Sequence, residues 1–342
     1  MEDILFEQKN GQFGDIGIVT LNRPTALNAL NHAMILALYQ QLVQWEKNPQ
    51  VKAVIVKAVP GRAFCAGGDV RSIYEKKMRQ DPELMQFFHD EYVLNKYIFH
   101  FPKPYISFLD GITMGGGAGI SIHGSHAIGT ERLIFAMPET TIGFFPDVGS
   151  TYFLSRLPHH FGLYLGLTGD HISYSDAYYL GLVRYVISQN TIEQCIQSLS
   201  VTSLLDNANV NDIIQSLSIH VPRSNLLDHL DEVDACFSKN SIDEVIESLV
   251  TIASPWTLKI ADILKTKSPM SLKITFAAIN NAKNLSFDDC MKMEEKLMRH
   301  CLKGHDFFEG VRAALIDKDR SPKFNPANLQ QISPAVVEEY FK

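Results

Sequence analysis

Two runs in this chain carry no polar alternation: VKAVIVKAV (Val51 to Val59) and PYISFLDG (Pro104 to Gly111). A strand with one face in water alternates apolar and polar residues. A strand covered on both faces reads as a continuous apolar run, the pattern of a parallel sheet with helices against it. A third, shorter strand is expected in DIGIVTLNRP (Asp15 to Pro24), closed by a turn. TALNALNHAMILALYQQLVQWEKNP follows, with Leu27, Leu30, Met34, Leu38, Leu42 and Trp45 on one helical face, and Lys47-Asn48-Pro49 ends it. Strands that alternate with crossover helices define an α/β chain.

The strand pattern fades after about residue 190, and Ser198 to Ile252 and Ser268 to Ile316 read as helices. Leu272, Ile274, Phe276, Ala277 and Ile279 lie in the first long helix of the second stretch. The expected organisation is therefore a core over residues 1–205 and a helical portion over 206–342. Residues 71–101, charged with scattered aromatics, read as a helical insertion lying over the site.

Composition narrows the function. A net charge of −7 argues against a nucleic-acid partner. No apolar run is long enough to span a bilayer, so no membrane partner is expected. The start MEDILFEQ has no apolar h-region and is not Arg-rich, and EEYFK is not a peroxisomal address, so the expected compartment is the cytoplasm. The five cysteines (Cys65, Cys195, Cys236, Cys290, Cys301) are widely spaced and form no CxxC, which suits free thiols in a reducing compartment and no zinc cluster. His123 and His126 receive no role.

Each apolar run leads into glycines: RAFCAGGDV (Arg62 to Val70) after the first and MGGGAGIS (Met114 to Ser121) after the second. Glycines free the backbone and leave N–H groups uncovered. The first amides of a helix opened by the second stretch have no intrahelical acceptor, and the helix dipole adds positive potential there. Two such loops can aim two N–H groups at one oxygen, an oxyanion hole. Each can equally be a tight turn. Neither is a phosphate loop or a dinucleotide fingerprint.

FAMPETTIGFFPDVGSTYFL (Phe135 to Leu154) places Glu139 and Asp147 in a mostly apolar segment. An unpartnered buried carboxylate is costly. Asp147 has the alternative of capping the helix that follows. Glu139 has that of a first-turn acid favoured by the dipole.

FCAGGD (Phe64 to Asp69) followed by GITMGGGAG (Gly111 to Gly119) resembles the crotonase (enoyl-CoA hydratase/isomerase) superfamily. FAMPETTIGFFPDVGSTYFLSRL, DEYVLN (Asp90 to Asn95), PMSLKIT (Pro269 to Thr275) and GHDFFEGVRAALIDKDRSP (Gly304 to Pro322) resemble its 3-hydroxyisobutyryl-CoA hydrolase branch, so the resemblance runs from about Leu21 to Pro322. It implies an α/β fold with a spiral of ββα turns and a helical C-terminal portion. It implies hydrolysis of an acyl-CoA thioester, with CoA as part of the substrate and neither cofactor nor metal.

On matching positions, the resemblance makes the amides of Gly68 and Gly116 the oxyanion donors. Ala66, Gly67 and Gly115 line the CoA path. Arg23, in LNRP, becomes a phosphate ligand, with a solvated turn arginine as the alternative. Glu139 becomes nucleophile or base, and Asp147 orients the substrate or moves protons. Glu91 becomes a substrate-binding acid, with a solvated helix face as the alternative. Cys65 matches no catalytic position. The family often forms homo-oligomers, and one is a possibility here.

Two departures matter. A hydratase carries a second glutamate on the glycine helix, and that position here is Gly119. VGST (Val148 to Thr151) stands where the branch usually has VGGG, which bears on the acyl group accepted. The rival expectations are an enoyl-CoA isomerase or hydratase, and a non-enzymatic CoA-binding or RNA-binding relative.

Overall fold

The structure, a computed structural model, describes residues 2–202 and 207–342. It forms two compact units that interleave along the chain: 1–68, 93–135 and 171–224 in the first, 69–92, 136–170 and 225–342 in the second. The expected boundary between residues 205 and 206 falls outside the described residues.

The first unit holds the strands. They are β1 (Ile4–Lys9), β2 (Asp15–Leu21), β3 (Val51–Ala58), β4 (Ala63–Cys65), β5 (Tyr105–Leu109), β6 (Ile112–Met114), β7 (His126–Thr130), β8 (Ile134–Ala136), β9 (Ile172–Ser173) and β10 (Tyr185–Ile187). The main sheet has the order β1-β2-β3-β5-β7-β10. β2, β3, β5, β7 and β10 run parallel, as the two unalternating runs require, and only β1 is antiparallel. One face, with Ile16, Ile18, Ala53, Ile55, Ile106, Phe108, Ile128 and Ile187, packs on Cys195, Ile196, Leu199, Val210 and Ile214 from two helices. A second, short sheet has the order β4-β6-β8-β9.

The first helix spans His32–Lys47, later than its apolar pattern suggests. Leu27 and Asn28 take left-handed φ values of 51° and 56°, which breaks the helical path. Asn31 then caps the helix by accepting from Met34 N–H at 2.9 Å. Trp45 lies over the sheet where β2 has Gly17: a Cβ there would come within 2.6 Å of the indole.

The second unit is helical. The expected insertion contains the helices Val70–Met78 and Gln86–Phe99, the latter continuing into the first unit, and Asp69 caps the former. The C-terminal motif forms the helix Asp306–Val311. Its role is close support: a Cβ at Gly310 would meet Ile142 backbone at 2.4 Å, and one at Gly143 would meet Asp306 O at 2.2 Å. Phe144 stacks on Phe145 with ring centroids 4.7 Å apart and meets Phe307 at 5.0 Å. The segment between Glu139 and Asp147 is thereby held by apolar contact. Among the described residues no helix is long and apolar enough to cross a membrane.

Candidate active site

In the first unit the two glycine loops meet. Gly67 has φ +112°, and a Cβ there would lie 3.5 Å from Met114 O and 3.9 Å from Gly116 N. A Cβ on Gly117 would lie 2.3 Å from Cys65 O, so only glycine allows the approach. Gly115 (φ 48°) turns the chain into the one-turn helix Gly116–Gly119. Its first amides have no intrahelical acceptor. The LNRP turn braces the other loop: Leu30 N–H donates to Gly67 O at 2.8 Å and Ala66 N–H to Leu27 O at 3.0 Å. Asn28 Nδ2 donates to Ala63 O at 2.9 Å. Arg23 is engaged in the same turn. Its Nη1 donates to Ala29 O at 3.0 Å and its Nε lies 3.7 Å from Asp3. Ala66, Gly67, Gly68, Gly115, Gly116 and Arg23 therefore belong to one braced set of turns.

The acids lie in the second unit. Glu139 opens the 3-10 turn Glu139–Ile142, is 7% exposed, and its Oε2 has no hydrogen-bonding partner among the described residues. The turn is anchored by Thr140 Oγ1, which donates to Leu167 O at 3.1 Å, and by Lys267 Nζ, which donates to Thr141 Oγ1 at 2.7 Å. Asp147 is not a helix cap: the following helix, Ser150–Leu154, has Gly149 at its N-cap with no side-chain bond. The Asp147 carboxylate instead accepts from the Tyr92 hydroxyl at 2.7 Å. Glu91 does not lie on a solvated face. It is 2% exposed, and its Oε1 has no hydrogen-bonding partner among the described residues. Glu294, on the helix Phe287–Lys303, is fully buried.

Burial dominates the electrostatics of these groups. It holds Glu139 well above the usual carboxylate range, and the negative charge of Asp147 adds to the effect. Glu91 is raised by the same two causes in the same order. Burial raises Asp147 to about 7 against the pull of the Tyr92 hydroxyl, which favours the ionised form. Burial raises Glu294 to about 8, opposed by hydrogen bonds from Thr151 and Gly149. Carboxyls that hold or release protons near neutrality can serve as base, acid or nucleophile. Among the described residues, no group of three His, Cys, Asp or Glu side chains could hold a metal ion.

This has a consequence for stability. Asp147 has a raised folded-state pKa, so between its ordinary 3.8 and about 7 the folded chain keeps a proton that the unfolded chain has released. The stability this group contributes is present below that window and is lost as pH rises through it. Asn is neutral throughout and can still accept from Tyr92. Asp147→Asn is therefore expected to unfold at higher urea than wild type above pH 7, with the gap closing toward pH 4. Parallel midpoints at every pH would contradict this.

Sequence reasoning did not single out Tyr92, Glu294 or Lys267. Tyr92 lies inside DEYVLN, and its neighbour Glu91 offered the only pointer to it. Glu294 sits among charged residues in MEEKLMRH with nothing to distinguish it. Lys267 is buried, which lowers its ammonium to about 8.

The chain matches the family described as enoyl-CoA hydratase/isomerase over residues 16–341. It is 42% identical to the Xenopus tropicalis protein named 3-hydroxyisobutyryl-CoA hydrolase, mitochondrial, over 96% of this chain and 86% of that one. It is 39% identical to the Homo sapiens protein of the same name, over 100% and 89%. Among solved structures it is similar to a carnitinyl-CoA dehydratase from Mycobacterium thermoresistibile, with TM-score 0.92 and 35% identity over 100% of this chain and 97% of that one. It is also similar to an enoyl-CoA hydratase from Rhodobacter sphaeroides, with TM-score 0.90 and 30% identity over 99% and 97%.

Proposed function

Because the chain belongs to the enoyl-CoA hydratase/isomerase (crotonase) family, in its 3-hydroxyisobutyryl-CoA hydrolase branch, we propose that it hydrolyses 3-hydroxyisobutyryl-CoA to 3-hydroxyisobutyrate and CoA. The observation that carries this reading is the acid set. Glu139 is buried with a carboxyl oxygen that no described residue hydrogen-bonds, while Gly119 leaves bare the position where a hydratase has its second acid. Adding water across a double bond needs base and acid around one water. Hydrolysis of a thioester needs one nucleophile or base and a place for the oxyanion.

In this reading the amides of Gly68 and Gly116 take the thioester oxygen as charge develops on it. Glu139 attacks the carbonyl carbon, the C–S bond breaks, and CoA leaves as the thiolate and picks up a proton. Water then opens the mixed anhydride and restores the carboxylate. Alternatively, Glu139 removes a proton from water, which itself attacks. Asp147 orients the acyl hydroxyl or relays protons, and Glu91 binds the acyl end. Ala66, Gly67 and Gly115 line the CoA path, and Arg23 meets a phosphate while keeping its bond to Ala29. No cofactor or metal enters.

The test measures thiol release from 3-hydroxyisobutyryl-CoA beside hydration of crotonyl-CoA. Thiol release without hydration supports the reading. Hydration without thiol release would instead support the second reading, which is favoured by the names of the two solved structures above. A cytoplasmic location is a further proposal. The relatives are named as mitochondrial, so fractionation of cells making the full-length protein decides it. The homo-oligomer is likewise a proposal, for light scattering to decide.

A further inference from the structure

Glu294 is a fully buried acid that the proposed reaction leaves unused. Its Oε2 accepts from Gly149 N–H at 2.6 Å. Its Oε1 accepts from Thr151 N–H at 3.0 Å and from the Thr151 hydroxyl at 2.5 Å. All three donors follow Asp147 within four residues of chain. The turn they belong to is one a chain does not adopt freely: Val148 has φ 54° and Gly149 φ 81°. A β-branched residue in the left-handed region is an outlier that persists only where its surroundings over-determine it. From upstream, the Asp147 carboxylate is held by the Tyr92 hydroxyl at 2.7 Å. From downstream, the hold comes from Glu294.

The geometry points to Glu294 as a positioning residue: by accepting from Gly149 and Thr151 it clamps the strained turn that aims the Asp147 carboxylate. The inference rests on the reading that Asp147 takes part in the hydrolysis. It also accounts for one departure in VGST. Thr151, where the branch usually has glycine, supplies a hydroxyl bond to the clamp that glycine lacks.

Above about pH 8, where the Glu294 carboxyl is ionised, Glu294→Gln keeps the volume but replaces one acceptor oxygen with a donor. Either Gly149 N–H or the Thr151 donors then lose their partner. A positioning role predicts a fall of roughly 100-fold in kcat with KM nearly unchanged. It also predicts that Glu294→Gln adds no further loss in an Asp147→Asn background, because the clamp acts through Asp147. Independent, multiplying losses, or an unchanged kcat, overturn the inference. A crystal structure of Glu294→Gln reads the clamp whatever the chain turns over. The Tyr92–Asp147 contact is expected to open beyond hydrogen-bonding distance, and a retained 2.7 Å contact overturns the proposal. Should Glu294→Gln fail to fold, Thr151→Val removes the hydroxyl's bonds to Glu294 and Cys290, keeps the Thr151 N–H bond, and carries the same two measurements, with a smaller loss of the same kind expected. Wild type without thiol release sinks the proposed function, and the crystallographic comparison still decides the clamp.

Discussion

Glu139→Gln is expected to lower thiol release by roughly a thousandfold or more while leaving the fold intact or slightly more stable. The two halves come from one cause. Glu139 is buried, its Oε2 has no hydrogen-bonding partner among the described residues, and burial with the nearby Asp147 charge holds its pKa well above the ordinary range. Charge at this position costs stability, which an isosteric amide relieves. The same amide can neither attack a carbonyl nor take a proton from water. An inactive variant that melts at or above the wild-type temperature is therefore the expected result. An active variant would remove Glu139 from the mechanism, and an unfolded one would make it structural.

The raised pKa also sets a sign. In the proposed reaction the ionised form attacks or takes the proton, so kcat/KM should rise with pH through a group titrating above the usual carboxylate range, and the variant should lack that limb. Single turnover in oxygen-18 water tests for the covalent route. Label appearing in the Glu139 carboxylate indicates an anhydride opened at the Glu139 carbon, whereas label in the product acid alone is the outcome both of general base catalysis and of an anhydride opened at the acyl carbon.

The second large effect is expected from one methyl group. In Gly117→Ala the new Cβ would lie 2.3 Å from Cys65 O and 3.0 Å from Cys65 C. Both are backbone atoms at the end of β4, so nothing flexible can give way. Overpacking of this kind costs about 3 kcal/mol. The movement that relieves it separates the loop of Gly67 and Gly68 from that of Gly115 and Gly116, so thiol release should fall with stability. Gly61→Ala is the control, because a Cβ there meets only Val59 O at 3.7 Å, an ordinary contact. Urea unfolding of the two variants beside wild type tests this. Equal midpoints for Gly117→Ala and Gly61→Ala would mean that the loops do not approach as described.

Much of the sheet was legible because burial on both faces writes itself into consecutive residues. VKAVIVKAV and PYISFLDG become adjacent parallel strands, Val54 pairing with Tyr105. β1 was missed: ILFEQK is half exposed and its apolar residues do not stand out. The strands of the second sheet are two or three residues long, too short for any period to show. The first helix was placed too early because Leu27 and Leu30 extend its apolar spacing, while the left-handed turn before Asn31 is a property of the folded backbone.

For the site, residue chemistry showed which groups were candidates but not what held them. Two acids in an apolar segment invited the question of burial, and glycines after buried strands invited that of exposed amides. Asp147 read alone as a helix cap because an acid ahead of a helix usually is one. Its true partner, the Tyr92 hydroxyl, lies 55 residues away in sequence. Glu294 is 145 residues from the Gly149 amide it accepts from, inside a charged helix that reads as solvated. The class of fold, the loops that need glycine and the acids available for chemistry follow from the order of residues, because backbone sterics and side-chain chemistry are local. Tertiary structure decided which acids are buried, how far their pKa values rise and which of them hold another in place. Desolvation and hydrogen bonding depend on what surrounds a group, and those surroundings come from distant parts of the chain.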